Sequence, residues 1–348
     1  MKKEVRQLLN WFQDNKRSLP WRDNKEPYRI WVSEIMLQQT RVEAVIPYFN
    51  RFMDRLPNVG ELALCPEEEL LKLWEGLGYY NRVRNMQKAA IQIQDEFQGE
   101  FPNSKKELEL LSGIGSYTAG AIASIAFGEK VPAVDGNVLR VWMRLHNKSD
   151  DIAKQSTKKN VESEIMDWIP KESPGDFTQA MMELGATICV PNGAPKCEQC
   201  PVIDFCESKK KGTERTLPVK AKLKPRKIQN KTILVIQKGN RVLLKKRKAT
   251  GLLAGLYEFL NKDGVLEEDE VLAYVQKQGF DSLRIVPLGE AKHIFSHIEW
   301  HMNGYLIRID ETKPDGKWLF ADIDELDHRY AIPTAYQAYR KQIRKKLR

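Results

Sequence analysis

Residues 1–208 carry apolar positions at helical spacing. Val5, Leu8, Leu9 and Phe12 recur with a period near 3.6, and so do Ile30, Trp31, Ile35 and Leu37. Short breakers separate the helices that these runs predict: Pro57-Asn58, Gly76-Leu77-Gly78, Pro102-Asn103-Ser104, Gly113-Ile114-Gly115, Pro170 and Pro174-Gly175. Ser104 followed by Glu107 is a capping-box signature. No internal repeat is found. The texture changes after Lys209. Gly212–Lys227 holds two prolines and no apolar periodicity, which reads as a linker. From Ile228 short β-like runs alternate with turns. Thr232–Gln237, Lys238-Gly239-Asn240 and Arg241–Leu244 predict a hairpin. Tyr305–Ile309 and Trp318–Phe320 predict further strands, and Glu268–Gln278 and Thr334–Lys346 predict helices. The pattern divides the chain into an all-α region at 1–208, a linker at 209–227 and a separate α+β domain at 228–348.

The length, 348 residues, suits two or three domains. Apolar residues make up 42% and charged residues 30%, which excludes a disordered chain, a collagen-like chain and a membrane bundle. The longest near-apolar stretch, Ala119–Phe127, falls short of the ~20 residues that a bilayer span needs. The N-terminus, Met1-Lys2-Lys3-Glu4-Val5-Arg6, shows no apolar signal segment, so a cytoplasmic protein with no membrane association is expected. The 56 basic and 47 acidic residues leave a net charge of +9, unevenly spread. Lys209–Lys227 alone holds nine Lys or Arg and one acid. Arg340, Lys341, Arg344, Lys345, Lys346 and Arg348 form a second basic cluster. Nucleic acid is the obvious polyanionic partner. A solvated linker and a frayed helix end account for the charge equally well.

Cysteine spacing is more informative. Cys189, Cys197, Cys200 and Cys206 follow a Cys-x7-Cys-x2-Cys-x5-Cys pattern, while Cys65 stands apart as an inert apolar residue. Four clustered cysteines in a large chain of this type indicate a metal or cluster site rather than disulfides. Zinc and an iron–sulfur cluster both take four thiolates, and spacing alone does not decide between them.

Two carboxylates stand out. The run from Leu111 to Ile122 contains Gly113-Ile114-Gly115, a tight turn whose amides, with the helix start that follows, form an anion site suited to a DNA phosphate. Asp135 follows downstream, where the sequence Asp135-Gly136-Asn137-Val138 starts another helix; an N-cap role and a low pKa are expected. Glu34 stacks at helical spacing with Ile30, Trp31, Leu37 and Gln38 on an apolar face, where desolvation raises its pKa and suits it to general acid catalysis. One carboxylate pushed up and one held down is the pattern that divides acid from stabiliser in glycosidic cleavage.

Leu111–Ala119, then Val134-Asp135-Gly136-Asn137, then four clustered cysteines together resemble the helix-hairpin-helix DNA glycosylase superfamily of the endonuclease III type. Residues 31–40 and Gly76-Leu77-Gly78-Tyr79-Tyr80 narrow the resemblance to the branch that removes adenine mispaired with 8-oxoguanine. The resemblance implies an all-α two-lobed catalytic region with an iron–sulfur module at 189–206, and a C-terminal α+β Nudix-like domain. It implies that Glu34 protonates adenine and positions water, that Asp135 stabilises the oxocarbenium ion, and that Tyr117 and Asn137 support them. Arg17, Trp21 and Gln179 fall at positions around the flipped adenine, and Gln39 and Tyr79 at positions that wedge the base stack. Gly113 and Gly115 belong to the hairpin on the DNA backbone. Cys189, Cys197, Cys200 and Cys206 then resemble ligands of a [4Fe-4S] cluster. Seven residues separate the first two where the family usually has six, and Gly193 is the candidate bulge. Gly251–Phe259 is similar to a Nudix fold, but Asn261–Gln278 lacks the Arg-Glu-x-x-Glu-Glu core that holds a divalent metal, so a recognition role replaces hydrolysis. Phe295-Ser296-His297 matches the loop that inspects 8-oxoguanine. Strand nicking needs an amine where this chain has Tyr117, so a monofunctional glycosylase is expected. The expected partner is duplex DNA containing 8-oxoguanine:adenine, bound by a monomer.

Overall fold

A computed structural model of the protein describes residues 1–221, 225–312 and 318–347. Lys222, Leu223 and Lys224 of the expected linker, and Arg348 of the C-terminal cluster, lie outside the described residues. The chain forms two compact units, one of residues 1–65 and 81–221, the other of residues 66–80 and 225–347.

The first unit is helical. In chain order it contains α1 (Lys3–Asn15), α2 (Pro27–Leu37), α3 (Val42–Arg55) and α4 (Val59–Leu64). After α5 (Glu67–Leu73), which belongs to the other unit, come α6 (Asn81–Phe97), α7 (Lys105–Leu108), α8 (Ser116–Ala126) and α9 (Gly136–Leu145). α10 (Gln155–Ile165), α11 (Pro174–Thr187) and α12 (Glu207–Lys211) complete it. Helix α2 starts where Glu26 accepts hydrogen bonds from the amides of Tyr28 and Arg29, with Pro27 in the first turn. Helix α8 starts at Gly115 and α9 at Asp135, whose side chain accepts from the Val138 amide. One core gathers Val5, Leu8 and Phe12 of α1 with Trp142 of α9, Val161 of α10 and Phe177 of α11. Trp31 of α2, Phe49 and Phe52 of α3 and Ile122 of α8 are also fully buried, and α2 packs on both α3 and α8. Helix α11 packs on α1, α8 and α9, and so joins the two groups of helices.

The Ser104–Glu107 cap forms by half. Ser104 Oγ accepts from the Glu107 amide at 3.2 Å, but the Glu107 carboxylate receives the Ser104 hydroxyl instead of a backbone amide. Two glycines shape the turn and its surroundings. Gly113 has a φ of +77°, a left-handed conformation that a side chain disfavours. At Gly120, in the middle of α8, a Cβ would stand 2.1 Å from the Pro132 carbonyl oxygen. Absence of that atom lets the segment leading to Asp135 lie against α8.

The second unit is built on a mixed sheet. Its strands are β1 (Lys227–Lys238), β2 (Arg241–Lys246), β3 (Tyr257–Glu258), β4 (Leu260–Asp263), β5 (Phe280–Ile294), β6 (Ile298–Thr312) and β7 (Leu319–Ala321). The order is β3-β2-β1-β6-β5, with β4 also on β1 and β7 on β2. β1 and β6 run parallel, and the β1–β2 hairpin pairs Gln237 with Val242 as the alternation predicts. Helices α13 (Glu268–Lys277), α14 (Ile323–His328) and α15 (Gln337–Leu347) follow in chain order. Ile233 and Val235 of β1 pack with Tyr336, Tyr339 and Ile343, while Leu234 and Ile236 pack with Val271 and Val275 of α13. Strand β1 is therefore buried on both faces, which explains its unbroken apolar run.

The structure departs from the sequence expectations at three places. Residues 66–80, read as part of the helical region, pack in the second unit. Residues 209–221, read as linker, continue the first unit. Here α12 ends the cysteine segment, and the Leu217 carbonyl accepts from Arg144 Nε at 2.8 Å. Strand β5 is absent from the sequence reading because Pro287 and Gly289 interrupt it and most of its residues face solvent.

Packing at α8 carries a direct test. Gly120→Ala forces backbone apart and is expected to cost at least ~2 kcal/mol. Gly115→Ala, where a Cβ meets nothing within 4 Å and φ is −93°, is expected to cost less than about 1 kcal/mol. Urea unfolding of both variants measures the difference; equal losses would contradict this account of the α8 packing.

Candidate active site

A cavity of about 520 Å³ opens between α2, α8, α9 and α11. Glu34, Tyr117, Asp135 and Asn137 line it together with Arg17, Trp21, Gln39 and Gln179. Eight of the fourteen residues singled out from sequence as catalytic or DNA-contacting thus meet in one place.

Glu34 sits on the buried face of α2 with 6% of its surface exposed. Its Oε2 accepts the Tyr117 hydroxyl, a short bond. Burial pushes the Glu34 carboxyl up to about 7, Tyr117 draws it down, and the neighbouring Asp135 charge raises it further. The group is therefore partly protonated near neutrality, as its place on an apolar helix face predicts. Tyr117 is itself held well above its usual range by burial and by Glu34, so it stays a neutral donor.

Asp135 caps α9. Its Oδ1 accepts from the Val138 amide at 2.8 Å and its Oδ2 from Asn137 Nδ2 at 2.7 Å. The sequence expectation of a low pKa is corrected here. Burial raises the Asp135 carboxyl, and this outweighs the hydrogen bonds from Val138 and Asn137 and the attraction of Arg140. Both carboxylates are pushed up, because burial by the surrounding protein strips solvent from each. Asn137 is fixed in turn. Its Oδ1 accepts from Arg140 Nη2 at 2.8 Å, and the same nitrogen reaches the Gly185 carbonyl at 2.7 Å. Arg140 Nε donates to the Cys189 carbonyl at 2.7 Å. A line of hydrogen bonds thus runs from Asp135 to the cysteine segment.

The rest of the cavity wall is cationic and braced. Glu183, 1% exposed, accepts Arg17 Nε at 2.6 Å and Arg22 Nη2 at 2.9 Å. Burial acts to raise the Glu183 carboxyl, but the two guanidiniums overcome it and hold the group below its usual range. Arg22 Nε donates to Gln179 Oε1 at 3.2 Å, which orients the Gln179 amide. Trp21 stands edge-on to Phe49 with ring centres 5.3 Å apart. Gln39, with a φ of +58°, lies just past the end of α2 at the cavity wall. Sequence reasoning missed Arg22, Glu183, Arg140 and Lys158. The first two and Lys158 line the cavity, and Arg140 lies behind it. Glu183 was findable: it falls among Ala180, Met181 and Leu184 on α11, the same acid-in-apolar-face pattern that marked Glu34.

Gly113 and Gly115 lie in the turn before α8, outside the cavity lining. Cys189, Cys197, Cys200 and Cys206 all line a separate cavity of about 30 Å³. Arg144 Nη1 lies 3.3 Å from Cys189 Sγ and 2.9 Å from the Val190 carbonyl. Gly193 takes a φ of +78° with open space at its missing Cβ, as a bulge in a long first loop requires. Among the described residues, no group of three or more Cys, His, Asp or Glu is placed to hold a single metal ion. The four cysteines nevertheless share the lining of one cavity.

In the second unit, Phe295-Ser296-His297 forms the turn between β5 and β6, closed by Phe295 N on the Ile298 carbonyl at 2.8 Å. The Phe295 ring packs 4.8 Å from Trp300, while Ser296 and His297 are exposed. The Tyr79 hydroxyl lies 2.9 Å from Ser296 Oγ.

Comparison with known proteins agrees with this geometry. A family model described as HhH-GPD superfamily base excision DNA repair protein matches residues 32–171, and one described as NUDIX domain matches 232–342. The chain is similar to the adenine DNA glycosylase of Mus musculus, 34% identical over 90% of this chain and 73% of that one. The adenine DNA glycosylase of Buchnera aphidicola subsp. Baizongia pistaciae is 36% identical over 87% of this chain and 86% of that one. A solved non-covalent endonuclease III–DNA complex superposes with a TM-score of 0.51 at 27% identity, over 61% of this chain and 99% of that one. No helix among the described residues is long and apolar enough to cross a membrane.

The raised Glu34 pKa has a measurable cost. In the unfolded chain the carboxyl ionises near 4.5, in the native protein near 7. Between those values the native state holds a proton that the unfolded state has released, so stability falls as pH rises through this window. Glu34→Gln removes the cost. Relative to the parent protein it is expected to gain up to ~3 kcal/mol between pH 4.5 and about pH 8, read by urea unfolding at the two pH values. A constant difference between the proteins would show that Glu34 is not desolvated.

Proposed function

The chain belongs to the adenine DNA glycosylases, within the HhH-GPD superfamily of base excision DNA repair proteins, and from that premise we propose how its residues divide the work. The protein is a glycosylase that removes adenine from DNA. In the proposed reaction the adenine, flipped out of the duplex, enters the cavity beside Glu34. The Glu34 carboxyl gives its proton to a ring nitrogen of the base. The bond from C1′ to the base then breaks, its electron pair leaves with the neutral purine, and positive charge develops on the sugar. The ionised Asp135 stabilises that charge. Glu34, now a carboxylate, takes a proton from the water that adds to C1′, which restores the acid. Asn137 and Arg140 hold Asp135 in place, and Tyr117 orients the Glu34 proton. Arg17, Trp21, Arg22 and Gln179 surround the base, and Gln39 and Tyr79 act at the stack it leaves.

The observation that carries this reading is a buried carboxyl protonated near neutrality in the same cavity as a second, hydrogen-bonded carboxylate. A hydrolytic course without strand nicking fits the hairpin, where Tyr117 offers a phenol already bonded to Glu34 and no amine. We assign the choice of 8-oxoguanine as the opposite base to Ser296 and His297, exposed polar groups on a tight turn. Discrimination by a base-edge contact amounts to about 1–3 kcal/mol. Hydrolysis of a nucleotide has no support in the second unit: Glu267, Glu268, Asp269 and Glu270 gather at the start of α13, but residues 261–278 lack the Arg-Glu-x-x-Glu-Glu core of a Nudix metal site. The enzyme is proposed to act as a monomer, in the cytoplasm with its DNA.

Cys189, Cys197, Cys200 and Cys206 are proposed to hold a [4Fe-4S] cluster, which fits four thiols converging on one cavity. When bound, such a cluster supplies a covalent tie among four chain positions and takes no part in hydrolysis. Arg144 and Arg140 would pass that tie to α9, and so to Asn137 and Asp135.

Two measurements test these assignments. Glu34→Gln keeps the shape and removes the proton, and is expected to lower the single-turnover rate on 8-oxoguanine:adenine by at least ~10²-fold with DNA binding retained. Near-normal cleavage would remove Glu34 from the mechanism. Anaerobically purified protein is expected to contain iron and acid-labile sulfide in equal amounts. Zinc without sulfide would overturn the cluster.

A further inference from the structure

Residues 66–80 are continuous in sequence with α4 and α6, yet they pack in the second unit as a strap. Glu68, Lys72 and Glu75 help to fasten it. Glu68 Oε1 accepts from the Tyr257 hydroxyl at 2.8 Å and from Lys246 Nζ at 2.7 Å. Lys72 Nζ donates to the carbonyls of Leu326 and Tyr330 at 3.0 and 3.1 Å. Glu75 Oε1 accepts from Arg340 Nη1 at 2.5 Å and from the Ile332 amide at 3.3 Å. Arg340 Nη2 reaches on to the Leu326 carbonyl and to Asp327, at 2.6 and 3.0 Å. The Glu75 and Arg340 side chains are 14% and 11% exposed, so this pair is nearly dry.

Immediately after Glu75 the chain turns sharply. Gly76 and Gly78 have φ values of +106° and +70°, and Trp74 Nε1 closes the turn on the Gly78 carbonyl at 3.0 Å. Tyr79 follows with a φ of +48°, a conformation that a tyrosine adopts only where its surroundings impose it. The turn leaves the Tyr79 side chain 47% exposed, with its hydroxyl on Ser296.

We infer that Glu75 and Arg340 are a specificity clamp: positioning residues that hold Tyr79 against the Ser296–His297 turn and thereby set the choice of opposite base. The inference rests on the proposed reading of that base by Ser296 and His297. Glu75 is the acid that Arg340 and Lys72 share, so its removal leaves Arg340 on Asp327 alone and frees the end of the strap where it enters the strained turn. Tyr79 then samples several positions, and the polar pair that it forms with Ser296 loses its fixed geometry. Glu34 and Asp135 lie in the other unit, so bond breaking on a bound substrate does not depend on the clamp.

The experiment uses the full chain and compares single-turnover rates on 8-oxoguanine:adenine and guanine:adenine, at saturating and subsaturating protein. The variants are Glu75→Gln, Arg340→Lys, the double change Ser296→Ala with His297→Ala, and the triple combination of that change with Glu75→Gln. Glu75→Gln is expected to lower the preference ratio about three- to tenfold, with the saturated 8-oxoguanine:adenine rate within about twofold of the parent. Arg340→Lys, which keeps the charge, is expected to retain most of the ratio. The triple variant is expected to discriminate no worse than the Ser296–His297 change alone, because the clamp acts through that turn. If the Ser296–His297 change lowers the ratio and Glu75→Gln does not, the clamp is wrong and the reading stands. If the Ser296–His297 change leaves the ratio intact, the reading itself fails. Equal loss on both duplexes with Glu75→Gln, or additive losses in the triple variant, would make the pair a general structural contact and overturn the inference.

Discussion

Desolvation of two carboxylates in one cavity is the constraint on which the active site depends. Glu34 cannot hold a proton near pH 7 unless water is kept from it, and the architecture of the first unit serves that condition. The apolar face of α2 buries its glutamate beside Ile30 and Trp31. The bare Cα of Gly120 lets the irregular segment before Asp135 close against α8. Helix α11 shuts the far side, where Gly185 admits Asn137 so closely that a Cβ would stand 2.6 Å from the Asn137 Cβ.

Burial alone does not fix a protonation state, and this site shows why. Glu34 and Glu183 are comparably hidden, yet one is pushed up and the other held down. The difference is the partner. Glu183 faces two guanidiniums, which reward its charge. Glu34 faces a phenol, which donates a hydrogen bond but no charge, and a second carboxylate, which repels it. The arginines are fixed on Glu183, while Glu34, with no cation bonded to it, holds a proton near neutrality. Asp135 lies between these cases, raised by burial but supplied with a backbone amide and the Asn137 amide that favour its ionised form.

Much of this was legible in the sequence, and the failures have physical causes. Helix α1 follows from periodicity, because it buries one regular face, whereas α2 and the β1–β2 hairpin follow from apolar runs bounded by breakers, since both are buried on more than one face. Glu34 stood out because an acid on an apolar stripe must be desolvated. The cap at Asp135 is legible in the sequence, but the direction of its pKa is not. A cap is a local feature, whereas the walls that dehydrate it come from α8 and α11, distant in sequence. The strap at 66–80 reads as one more helical segment, since its anchors at Tyr257, Leu326 and Arg340 lie far along the chain. Arg140 and Arg144 look like exposed helix charges one turn apart. Only the fold shows both buried, one on Asn137 and the other beside Cys189.

The central claim is that the native fold keeps a proton on Glu34 near neutral pH. Carbon-13 NMR of glutamate carboxyls in the DNA-free protein reads this directly, with the Glu34 signal assigned by its absence in Glu34→Gln. The expected result is a carboxyl that titrates with a midpoint near 7, well separated from the exposed glutamates. A Glu34 signal that titrates near 4.5 with the others would contradict it.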